Sequence, residues 1–103
     1  MAANSDDATD TPRSTVALRA VEGAALPLPL RDALTRDMVR ATAEAIAERT
    51  GVRVLALETS DTGIVATLAA PQLVALGFAA ELRRVTDAWH AKKFGVRLWG
   101  DAS

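Results

Sequence analysis

Apolar residues along this chain switch between two periods, and the order of those switches constrains the fold more than any motif does. Thr15 to Val21 alternates, with Val16, Leu18 and Ala20 on one side and Ala17, Arg19 and Val21 on the other, the period of a half-buried strand. From Arg31 to Thr50 the repeat lengthens to that of a helix. Leu34, Met38, Thr42, Ala45 and Ile46 form one stripe and Arg36, Arg40, Glu44 and Glu48 the opposite one, with Gly51 where a left-handed C-cap belongs. Val52 to Glu58 and Ile64 to Ala69 read as strands around the turn residues Thr59-Ser60-Asp61-Thr62-Gly63. Pro71 opens a second helical segment with Val74, Phe78, Leu82, Val85 and Trp89 on one face. Lys92 and Lys93 suit the negative end of that helix, and Phe94-Gly95 closes it. Val96-Arg97-Leu98-Trp99 is then a last short strand.

The order β-α-β-β-α-β predicts an α+β domain of the ferredoxin-like kind. Two helices would cover one face of a four-stranded antiparallel sheet and leave the other face open. With 103 residues there is room for one such domain, over 14–100. Met1 to Arg13 carries three aspartates, a proline and small polar residues and reads as a disordered tail over 1–13. In Ala24-Ala25-Leu26-Pro27-Leu28-Pro29-Leu30 each proline pushes its predecessor into an extended conformation. Three leucines on such a connection need cover, from the body of the domain or from a partner. The most apolar window, Ile64 to Ala80, is 17 residues long with Pro71 and Gln72 inside it, short of the roughly 20 that a bilayer asks of a helix. A strand followed by a helix explains it better, and no membrane role is expected.

Charge and cysteine content exclude several function classes. Twelve Lys and Arg stand against thirteen Asp and Glu, a net charge of −1, so no field of one sign draws in nucleic acid. The first and third expected strands contain no aromatic residue, whereas RNA recognition on a four-stranded sheet needs two or three stacking rings. Zero cysteines exclude disulfides, thiolate metal sites and a thiol nucleophile and fit a reducing cytoplasm. There is no glycine-rich phosphate loop and no G-x-S-x-G elbow; no cofactor is expected. The Ala- and Arg-rich, Lys-poor usage is that of a GC-rich bacterial genome.

Three constellations remain as candidates for chemistry. Asp61-Thr62-Gly63 resembles the signature of aspartic proteases, whose retroviral members are homodimers of about this size. That signature follows an apolar strand directly and belongs to an almost all-β family, whereas here Thr59-Ser60 precede it and helical patterns are long, so the three residues read as a turn. His90, the only histidine, is a candidate general base or ligand in the manner of dimeric α/β-barrel enzymes. Beside an inward Trp89, it reads as a partly exposed helix-end residue. The third is the open sheet face. If Val16, Leu18, Ile64, Leu68, Val96 and Leu98 face the helices, then Arg19, Thr67, Arg97 and Trp99 point outward. Arg19 and Arg97 would then meet a small anionic ligand or a partner carboxylate, with Trp99 as a stacking plate. Alternatively Trp99, Ala17 and Ala69 bury against a second copy. The resulting expectation is a non-catalytic binding, regulatory or assembly module acting as a homodimer, or on a larger protein partner, through that face. Its rival is a small enzyme of the dimeric α/β-barrel type with a cavity between helices and sheet.

Overall fold

The computed structural model describes residues 12–21 and 29–100. Strand β1 (Ser14–Arg19) is followed by a 3-10 turn (Pro29–Arg31), helix α1 (Ala33–Thr50), strands β2 (Arg53–Ser60) and β3 (Gly63–Ala69), and helix α2 (Gln72–Phe94). The three strands form one antiparallel sheet in the order β1-β3-β2. The protein is therefore α+β, with two helices and a three-stranded antiparallel sheet.

The alternation of β3 divides the sheet into two sides. Ile64, Ala66 and Leu68 are buried, and they share one core with Val39, Ala43 and Ile46 of α1 and Ala75, Phe78 and Leu82 of α2. Val65, Thr67 and Ala69 turn to the other side, as the period of two requires. Local chemistry sets the ends of the helices. The Asp32 carboxylate accepts hydrogen bonds from the Thr35 N–H and the Thr35 hydroxyl, each at 2.9 Å, which caps α1 and holds Asp32 below its ordinary pKa. Gly51 and Gly95 end the two helices at φ 75° and 80°, a left-handed conformation that glycine adopts without a Cβ penalty.

The fourth strand expected over 96–99 does not form. In its place stands a single bridge between Ala20 and Trp99, flanked by Val21 N–H to the Leu98 carbonyl at 2.8 Å and Gly100 N–H to the Arg19 carbonyl at 2.9 Å. The physical reason lies in α2, whose side chains take the backbone groups of this segment that a strand ladder would have used. Neither Arg97 nor Trp99 lies in a strand, so the expected four-stranded sheet is corrected to three.

The buried helix faces also differ from the sequence reading, by about one residue. In α1, Val39 is buried while Leu34 is exposed; in α2, Ala75 replaces Val74 and His90 replaces Trp89 in the core. Small Ala75 lets the helix approach its neighbours closely, and packing outranks side-chain hydrophobicity in choosing the face. Gly77 does not interrupt α2. Thr59 and Ser60 belong to β2, which leaves Asp61-Thr62 as a two-residue turn. Gly63 then begins β3 opposite Arg19, where a Cβ would overlap the Leu18 carbonyl oxygen. Of the Ala24 to Leu30 connection, Leu30 is fully buried in the core; positions 24–28, like positions 1–11 of the tail expected over 1–13, lie outside the described residues. Among the described residues no helix is long and apolar enough to cross a membrane.

Candidate functional site

Four polar side chains on one stripe of α2 hold the segment that returns to β1. Arg83, Thr86, Asp87 and His90 follow the spacing i, i+3, i+4, i+7, which places them on a single helical face. Arg83 donates to the Gly100 carbonyl. The Thr86 hydroxyl donates to the Leu82 carbonyl at 2.6 Å and accepts from the Trp99 indole N–H at 2.8 Å. One Asp87 oxygen accepts from the N–H groups of Leu98 and Trp99, at 2.6 and 3.2 Å, and the other faces Arg97 at 3.4 Å. The His90 Nδ1 lies 2.8 Å from the Val96 carbonyl; a carbonyl only accepts, so Nδ1 carries the proton. Burial works against ionisation of Asp87, but the two backbone donors and Arg97 outweigh it and hold its carboxyl below the ordinary value. This stripe was not singled out from the sequence. Its signal is the helical spacing of these four polar residues.

The clamp relocates most of the residues expected on the open face. Trp99, expected there as a stacking plate, is fully buried in the core, where its ring fills volume and its N–H meets Thr86. Arg97 pairs with Asp87. The register of the Ala20–Trp99 bridge sets Gly100, not Arg97, beside Arg19, so the two arginines are not cross-strand neighbours. His90, expected to be partly exposed, is buried and engaged by the Val96 carbonyl. Its imidazole acts as part of the tie that holds the chain after α2. Asp61, first residue of the protease-like triplet, is an exposed turn residue 3.2 Å from Arg31.

Arg19 and Thr67 do sit on the uncovered side. Cross-strand register sets Ala17, Val65 and Glu58 in one row of that face and Thr15, Thr67 and Ala56 in the next. The Thr15 and Thr67 hydroxyls are 3.5 Å apart, at the outer limit of a hydrogen bond. Val65, at the centre of the middle strand, is 40% exposed, with small Ala17 opposite it on one side and Glu58 on the other. Arg19 and Ser60 flank Gly63 at one end of the face and Arg53 lies opposite Ala69 at the other. The result is a shallow apolar centre with charges toward its edges, and no ring on any of its three strands.

The chain matches no model of a known protein family, and no curated protein is significantly similar to it.

Proposed function

We propose that this protein is a small non-catalytic binding or assembly module whose working surface is the uncovered sheet face, and that it associates through that face with a second copy of itself. The observation that carries the reading is the half-exposed Val65 at the middle of the central strand, with Ala17 and Glu58 opposite it and Thr15, Thr67 and Ala56 in the next row. A contiguous patch of apolar and small side chains on a sheet is stabilised when a second layer covers it. Our reading is a ferredoxin-like sandwich of order 4-1-3-2 with an abbreviated last strand, and the single bridge of Trp99 to Ala20 supports it. The enzyme alternative draws no support from His90, which is buried against the segment after α2. A nucleic-acid partner draws none from the face, which lacks stacking rings.

Light scattering on the purified chain at micromolar concentration tests this. The wild type is expected at twice the monomer mass, and Val65→Lys at the monomer mass. Because Val65 lies outside the core, the lysine variant should still unfold cooperatively and lose only the concentration-dependent stabilisation that association adds. A wild type that is monomeric at these concentrations ends the self-association reading.

A further inference from the structure

Beyond the bridge at Ala20, the side of β1 away from β3 has no paired strand among the described residues. Ala20 N–H donates to the Thr62 carbonyl on the β3 side, while Val21 N–H and the Arg19 carbonyl face the returning segment. Backbone groups of alternate residues point to alternate sides of a strand, so the N–H and C=O groups of Thr15 and Ala17 point away from β3. Among the described residues no backbone group meets them. The usual protections of an edge, a proline, a lysine or a bulge, are missing from Ser14–Arg19.

Beside this edge runs a groove of about 530 Å³ between β1 and α2. Its floor is Leu76, Ala79 and Ala80, and its charged residues are Arg19 and Arg83, with no carboxylate among the lining. Arg19 has no ion-pair partner among the described residues. Arg83 spends donors on the Gly100 carbonyl, but a guanidinium has five N–H groups. The groove thus combines unpaired ladder groups, an apolar floor for alternate side chains, and unbalanced positive charge at the Arg19 end.

From this we infer that the β1 edge accepts an extended peptide segment of a protein partner. The segment adds as an antiparallel strand at Thr15 and Ala17, sets small apolar side chains over Leu76 and Ala80, and presents carboxylates to Arg19 and Arg83. Strand addition draws affinity from main-chain hydrogen bonds and specificity from alternate side chains and charge. An antiparallel segment starts at the Arg19 end, so its acidic residues stand at its N-terminus. This edge adjoins the Val65 face and uses the outward backbone groups of Thr15 and Ala17, whose side chains belong to that face.

The probe is an acetylated, amidated heptapeptide, Asp-Asp-Val-Thr-Val-Thr-Val, with a counterpart in which both aspartates are lysines. Fluorescence anisotropy at low salt on the full chain should show the acidic peptide binding at least about tenfold more tightly. Binding should slow amide exchange at Thr15 and Ala17. N-methylation of alternate peptide bonds should abolish it without any change to the protein. Ala17→Pro, which removes one outward N–H and leaves the β3 ladder intact, should also abolish it, while Val65→Lys should retain it whatever the oligomeric state proves to be. Equal binding of the two peptides, binding indifferent to N-methylation, or no binding at millimolar peptide overturns the inference. So does slow exchange at Thr15 and Ala17 in the protein alone, which would mean that the chain's own ends or a second copy already occupies the edge.

Discussion

Trp99 has no solvent exposure and is the largest of the fully buried side chains, yet it carries a polar N–H that burial would penalise if it were unpaired. Thr86 removes that penalty by accepting the indole N–H while donating its own proton to Leu82 one turn back. Removing the ring, in Trp99→Ala, should cost about 3–5 kcal/mol of unfolding free energy through lost burial and the cavity left behind. Thr86→Val keeps the shape but leaves the indole N–H without an acceptor, which should cost about 1–3 kcal/mol. Urea unfolding of Trp99→Phe, Thr86→Val and the double variant checks the coupling. The double variant should be less destabilised than the sum of the two singles, because in either single one member of the pair is already gone. Strict additivity would mean that the hydrogen bond contributes nothing.

At the scale of elements, the segment after α2 is held by helix side chains where a strand would be held by a ladder. Asp87 is central because one of its oxygens serves two consecutive backbone donors. Its folded pKa lies below the ordinary carboxylate value, so the unfolded chain takes up a proton first as the pH falls. The stabilisation is complete above the ordinary value and is lost as the pH drops through the folded one. Urea midpoints measured from about pH 6 down to about pH 2 should therefore fall in the wild type and fall less steeply in Asp87→Asn. Asp32 and Glu81 are also lowered, by hydrogen bonds from Thr35 and Arg84 respectively, so some acid sensitivity should persist in the variant. Identical slopes would remove Asp87 from the account. The two glycine caps give a separate test. Gly95→Ala forces a Cβ into φ 80° and should lower stability by about 1 kcal/mol, read by thermal unfolding.

At the scale of the fold, two helices on one side of a three-stranded sheet leave the other face and the β1 edge unpartnered among the described residues, and the two proposed associations use one each. Much of this layout was legible in the chain. Alternation in Thr15 to Val21 and Ile64 to Ala69 placed Arg19 and Thr67 on the uncovered side, and Gly51, Gly95, Asp61 and Pro71 marked helix ends and turns, because these are local effects of φ, capping and period. The helix faces were legible only to within about one residue, since Ala75 and His90 are buried by what packs against them. Arg97 and Trp99 were misplaced for the same kind of reason. Val96-Arg97-Leu98-Trp99 has strand-like residues, but whether its backbone joins a ladder depends on competing partners distant in sequence. By itself the sequence determined the periods, the caps and the α+β order, all of which act within a few residues. Only the tertiary structure decided that Arg83, Thr86, Asp87 and His90 capture the last segment and turn Trp99 inward. Backbone groups are satisfied by whichever partners the packed chain brings within about 3 Å, and no local pattern encodes that contest.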